Sequence, residues 1–144
     1  MSKRDMRTMT GTTADGRRAG AALCNSDGAS QGLDTSGPTA MINAATRFPL
    51  RRSGNGMVLD IKFTPSVIKG ETGGQALRAL IDTYYRKGGM EIQVSAVSRE
   101  TLLDAQQHPE RHGDLIVRVS GFSAYFTSLS ETTQNEIIDR TENE

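Results

Sequence analysis

Tryptophan is absent from this sequence, cysteine occurs once, and aromatic residues make up only 5% of the chain. A lone Cys24 cannot close an internal disulfide, and without a cysteine pair no metal knuckle of the CxxC kind is expected. No apolar run is long enough to span a bilayer. The charged start MSKRDMR leads into no apolar stretch of the secretory kind, so no signal peptide is expected. Neither sign of charge dominates. The 17 basic residues balance 17 acidic ones, which leaves no electrostatic footprint for nucleic acid or an anionic membrane surface. These absences predict a cytoplasmic protein with no nucleic-acid or membrane partner.

What is plentiful is glycine, 15 of 144 residues, much of it in the first half. The length suits one domain, but a hydrophobic content of 35% is modest for its core. Residues 1–55 show no sustained periodicity and are punctuated by ADGRRAG (14–20), NSDGASQG (25–32), TSGP (35–38) and RRSGNG (51–56). Gly, Ser, Asn and Asp at this density form successive turns. One apolar piece, Thr39 to Ala45, is expected to make a turn or two of helix. A loop-rich stretch of this length is unusual inside a compact domain unless it packs on something outside the chain.

After residue 56 the pattern tightens. MVLDIKF (57–63) predicts a strand stopped by Pro65. GGQALRALIDTYYRKGG (73–89) predicts a helix, because Leu77, Leu80, Ile81 and Tyr84 fall at i, i+3, i+4 and i+7. Gly88 suits the left-handed residue beyond its end, and GETGG (70–74) reads as its lead-in. MEIQVSAV (90–97) predicts a strand with Ile92, Val94 and Ala96 on one face. Ser98 caps a short helix through Leu102, Leu103 and Gln106 that ends at Pro109, a strand follows over 115–119, and Ser130 caps a terminal helix over about 131–141. The expected order is β-α-β-α-β-(Gly loop)-α, an α/β architecture for residues 56–144 behind a loop-rich segment 1–55.

Ordinary site chemistry is sparse. His108 and His112 stand four apart, but Pro109 between them breaks helical spacing, and two exposed loop histidines are expected. GETGG lacks the Lys-Ser/Thr of a phosphate loop. Asp60, Asp82, Asp104 and Asp114 form no evident acid–base pair, and Arg17–Arg18 reads as a solvated loop. Cys24 has no neighbouring histidine to activate it as a nucleophile, and no metal site is expected.

The remaining feature is DLIVRVSGFSAYFTSL (114–129), in which glycine interrupts two apolar runs that would otherwise make one strand. By itself this spacing describes a tight turn, since only glycine takes positive φ without steric cost. The longer string LIVRVSGFSAYF, however, resembles the C-terminal signature of the glycyl radical enzymes, the family of pyruvate formate-lyase, glycerol and diol dehydratases, choline lyase and arylacetate decarboxylases. Upstream, ETLLDAQQHPERHGDLIVRVSG resembles the family's approach to its radical loop, and downstream LSETTQNEIIDRTENE resembles its terminal helix and I-x-R-T ending. ADGRRAG, SQGLDTSGPTA and GGMEIQVSAV are similar to segments that precede the radical domain in the full enzymes, with GPTA leaning toward the dehydratase, decarboxylase and lyase branch.

The resemblance implies that the chain is a C-terminal fragment of the enzyme barrel and that Gly121 carries a backbone radical, with Arg118, Val119, Ser120, Phe122 and Ser123 supporting a radical loop at 118–123. It implies no bound cofactor. Instead, a radical S-adenosylmethionine activating enzyme with an iron–sulfur cluster would remove the glycine hydrogen, and the radical would pass to a cysteine in a barrel that this chain lacks. Cys24 does not match that cysteine's context, so no turnover is expected from this chain alone. Apolar Val117, Val119, Phe122 and Phe126 would shield the radical from water and oxygen. Three positions depart from the family pattern: Phe122 where tyrosine is frequent, QVSAV (93–97) without the usual asparagine, and Ala14 where proline is usual. Two other readings are a stand-alone radical carrier that repairs an oxygen-damaged enzyme and a non-catalytic α/β binding module or inert remnant. Family carriers resemble the enzymes mainly over a stretch equal to the last third of this chain's length, with an unrelated start, whereas this chain matches further upstream.

Overall fold

The computed structural model describes residues 9–21, 23–24, 26–30, 33–119, 121–140 and 142–143. Its regular elements begin with α1 (Pro38–Ala45), where Pro38 occupies the first turn and lacks only an amide that would have no helical partner. Strand β1 (Val58–Phe63) follows and sets Leu59, Ile61 and Phe63 at alternate positions, all buried. Helix α2 (Gly70–Arg86) crosses over to β2 (Glu91–Ser95), which pairs parallel with β1 from Val58↔Glu91 to Lys62↔Ser95. On the other side of β1 lies the short β5 (Glu142–Asn143), also parallel, so the sheet order is β2-β1-β5.

Helix α2 starts three residues earlier than the apolar period predicts. GETGG is its first turn rather than a lead-in, with Lys69 at the N-cap and Glu71 facing the positive helix end. Glycine is tolerated there because a Cβ on Gly73 would come within 2.4 Å of the Val67 carbonyl oxygen, and its absence lets the helix close over the preceding turn. At the far end the helix stops as expected: Gly88 has φ +95°, and the Gly89 amide donates to Tyr84 O at 2.9 Å. The α/β core joins Met41, Ile42 and Ala45 of α1 to the inner face of β1 and to Tyr84, with Leu77, Leu80, Ile92 and Val94 packed against it. Ala96, placed by period on the same face as Ile92 and Val94, lies beyond the end of β2 and is exposed.

The second core gathers around α3 (Arg99–Gln107) and α4 (Glu131–Ile138), where Leu102, Ala105, Ile137 and Ile138 bury with Val117 and Phe126. Ser98 caps α3 as predicted, accepting from the Thr101 amide at 3.2 Å. Ser130 sits at the N-cap of α4, but its hydroxyl meets that of Thr133 at 3.0 Å and makes no bond to a backbone amide. This helix ends at Ile138 rather than near 141, because Arg99 takes the Ile138 carbonyl at 2.7 Å and the chain turns toward β5. Between α3 and α4 lie β3 (Ile116–Arg118) and β4 (Ser123–Tyr125), an antiparallel pair. The glycine segment thus continues into a strand, and the observed order is β-α-β-α-β-β-α-β after α1.

Part of the loop-rich first segment is docked on this body. Besides α1 and the buried Leu50, the Ser26 hydroxyl accepts from the Val58 amide at 2.9 Å, and Asp27 is buried against Tyr84. Arg17 is engaged rather than solvated. It gives hydrogen bonds to the carbonyls of Thr10, Gly11, Arg18 and Ala21, which tie its own loop together. No helix among the described residues is long and apolar enough to cross a membrane.

Candidate functional site: a glycine hairpin

Strands β3 and β4 pair Ile116↔Tyr125, Val117↔Ala124 and Arg118↔Ser123. Two further bonds extend the ladder: the Val119 amide donates to Phe122 O at 2.9 Å, and the Phe126 amide to Leu115 O at 2.8 Å. The chain therefore reverses between Val119 and Phe122, at Gly121 among the described residues. Tight hairpin loops require positive φ, and Gly121 supplies φ +75°. A Cβ built on Gly121 would meet nothing within 4 Å, so glycine here serves backbone conformation and leaves its α-carbon open to approach. Ser120, expected from the sequence to support the loop, lies outside the described residues.

Alternation along the two strands divides the hairpin into faces. Val117 and Phe126 are buried on the α3/α4 core, with Leu115 and Val119 packed beside them. The opposite face carries Ile116 and Tyr125, each more than half exposed, together with Arg118 and Ser123. Of the four apolar residues expected to shield the radical, Val117 and Phe126 are buried in the α3/α4 core and Val119 packs beside them, while Gly121 itself is exposed. Phe122 stands at the turn and is 54% exposed.

Arg118 braces the hairpin sideways. Its Nε donates to Gln93 Oε1 at 2.7 Å, and Nη1 lies 3.4 Å from Ser123 Oγ across the ladder. Gln93, in the segment that departs from the family pattern, thus joins the edge strand β2 to the hairpin. Between β2 and the hairpin lies a cleft of about 420 Å³, bordered by Lys62, Gln93, Val117, Arg118 and Arg140.

Arg140 is the residue that sequence reading did not single out. It follows α4, and its guanidinium donates to the carbonyls of Arg118 (2.8 Å) and Val119, immediately before the tip. Burial pushes its pKa below the usual arginine value, opposed by the charges of Asp60 and Glu136. Gln134 holds the other strand's end: its Nε2 donates to Phe126 O at 3.0 Å, while its own Oε1 accepts from Gln106 at 3.2 Å. The only advance signal was position, since Arg140 belongs to the IDRT ending.

The residues set aside in the sequence also have places. His112 is not an idle loop residue: its Nε2 lies 2.6 Å from Asp104 Oδ2, and this hydrogen bond holds the Asp104 carboxyl below the usual carboxylate range. Its neighbour His108 stands apart, 3.7 Å from Glu110. Cys24 is exposed, with its sulfur 3.4 Å from Ser30 Oγ. Among the described residues no group of three or more His, Cys, Asp or Glu side chains gathers as a metal site.

Comparison with known proteins gives this hairpin a context. The family described as glycine radical matches residues 26–127. A probable dehydratase, YbiW, of Escherichia coli (strain K12) is 42% identical over 134 residues, covering 92% of this chain and 16% of that protein. Indoleacetate decarboxylase of Tractidigestivibacter scatoligenes is 42% identical over 137 residues, covering 93% of this chain and 15% of the relative. A structure describing 1,2-propanediol dehydration in Roseburia inulinivorans superposes with a TM-score of 0.92 at 41% identity, over 99% of this chain and 18% of that one. The chain spans about a sixth of the length of the curated relatives it matches. With a glycine radical domain over most of its length and the corresponding α/β fold, this chain belongs to the glycyl radical enzymes, of which it matches a C-terminal portion.

Proposed function

We propose that this chain is the radical-bearing part of a glycyl radical enzyme that works in the cytoplasm under anaerobic conditions, and that Gly121 is the residue that stores the radical. Removal of a hydrogen atom from its α-carbon leaves a planar centre that shares spin with the adjoining amide groups, and a side chain would crowd that plane. The hydrogen atom would be taken by a radical S-adenosylmethionine activating enzyme with an iron–sulfur cluster. The glycyl radical would then recover a hydrogen atom from a cysteine thiol in a catalytic barrel outside this chain, and the thiyl radical would begin C–O, C–N or C–C cleavage of the substrate.

The observation that carries this reading is the position of Gly121, exposed at the hairpin turn with φ +75° and open space where a Cβ would point. The strands beneath it are anchored by Val117, Phe126 and the two carbonyl contacts of Arg140. Supports named from the sequence fit a structural role: Arg118 and Ser123 through side chains, Val119 through its amide.

The test is electron paramagnetic resonance after anaerobic incubation with S-adenosylmethionine and a reduced family activase. A doublet in the wild-type chain that is absent from Gly121→Ala, with air exposure cutting the chain beside Gly121, is the expected result. Silence of the wild type under conditions that charge a full-length family enzyme would sink the reading.

A further inference from the structure

We propose that the segment from Gln134 to Arg140 is a latch that positions the glycine hairpin, with Arg140 as its principal positioning residue. As a role in radical chemistry this rests on the reading of Gly121 above, but the mechanical role stands on the geometry alone.

Both strands of the hairpin are held through their carbonyl oxygens, and both holds come from the same stretch of chain. Arg140 takes Arg118 O and Val119 O on the leading strand, and Gln134 takes Phe126 O at the end of the returning strand. A guanidinium presents its donors in a rigid fork, so one side chain can serve two successive carbonyls. The latch is itself fixed. Ile137 and Ile138 bury against α3, Arg99 takes the Ile138 carbonyl, and Gln106 reaches both Gln134 and Asn135. Beyond Arg140 the chain pairs with β1 at Lys62↔Glu142 and Phe63↔Asn143, which couples the latch to the parallel sheet.

Among the described residues the clamp makes no hydrogen bond to Gly121. The carbonyl of Val119 is the last latched group before Ser120 and Gly121, and the next latched group is that of Phe126. A stable radical centre needs its backbone held in one geometry, and an activating enzyme needs the α-carbon within reach. Latching the strands while sparing the tip meets both needs. Arg140 also feels the charges of Asp60 on β1 and Glu136 on α4, but its hydrogen bonds go to the leading strand of the hairpin, so releasing it should loosen that strand most.

The test is hydrogen exchange on the full chain, read by segment. Arg140→Ala is expected to raise exchange of the Leu115–Phe126 amides by about tenfold or more, the loss of a charged donor to two partly buried carbonyls. Exchange in α2, which Arg140 does not contact, should stay as in the wild type. Arg140→Lys, which keeps the charge without the fork, should fall between the two. Unchanged exchange in the hairpin of Arg140→Ala would overturn the proposal, and so would an equal increase in every element, which would make Arg140 a general stability residue. In activated samples, the Arg140→Ala doublet should decay faster than the wild-type one; equal decay would overturn the link to the radical. A wild type that never gives a doublet would remove the Gly121 reading while the exchange comparison still decides the latch.

Discussion

The hydroxyl of Tyr84, a residue of the α/β core, lies 3.2 Å from Asp27 Oδ2 and 3.1 Å from the Glu91 carbonyl. One phenol thereby joins the start of β2 to a turn of the first segment that lies 57 residues before the tyrosine. Gly89 makes room for it, since a Cβ there would come within 2.3 Å of the ring. Burial and the neighbouring Asp27 raise the Tyr84 pKa to about 12, so the group stays a donor across the working range. Tyr84→Phe removes that donor from a buried carboxylate and should cost about 1–3 kcal/mol in urea unfolding. A midpoint equal to the wild type would show that the turn is not held by this bond.

Asp27 gives the same contact a pH dependence. Burial raises its pKa above 3.8, ahead of the opposing hydrogen bonds, and Oδ1 has no hydrogen-bond partner among the described residues. The folded state therefore binds this proton more tightly than the unfolded chain does. Its contribution to stability is present at low pH and is lost as pH rises through the raised folded value. Asp27→Asn keeps an oxygen for Tyr84 without the charge. It should match or exceed wild-type stability at neutral pH, and flatten the decline expected in urea titrations as pH rises from the unfolded value through the raised folded one. A variant less stable at neutral pH, with an unchanged pH slope, would refute this.

These two residues show where the sequence was legible. The body of α2 was readable because Leu77, Leu80, Ile81 and Tyr84 repeat at helical spacing, and that spacing is local. Its first turn was not, since glycines that punctuate a chain elsewhere are here required by the close approach of Gly73 to Val67 O. Strand β4 is too short, at three residues, for alternation to declare it. Asp27 sits in a string that reads as a turn, and its burial depends on a tyrosine far along the chain. Arg140 was hidden for a related reason: its partners are backbone carbonyls, which carry no side-chain signature. The glycine hairpin itself was found through its motif, while the turn geometry followed from glycine's freedom at φ +75°.

The contact between His112 and Asp104 ties the turn before β3 to α3 and should respond to acid. Asp104 has a folded pKa below 3.8, chiefly through the His112 hydrogen bond, with the charges of His108 and Arg111 adding to it. Its contribution is present above the unfolded value and is lost as pH falls through the depressed one. His112→Ala should lower the unfolding midpoint at neutral pH, and the two proteins should converge in strong acid. Parallel curves down to about pH 2 would mean that the bond adds nothing through Asp104 ionisation.

Gly121→Ala separates the structural use of the glycine from the chemical one. An alanine at φ +75° costs roughly 1–2 kcal/mol of backbone strain, because its Cβ crowds the following carbonyl. Space adds nothing to this, since no atom lies within 4 Å of the new methyl position. The variant should therefore fold, with a midpoint shifted by that small amount and protection retained in Val117 and Phe126, while forming no doublet after activation. A glycine that only turns the chain predicts the same small shift and no doublet in either protein. The wild-type spectrum is what divides them, and the folded state of the variant makes its silence chemical rather than structural.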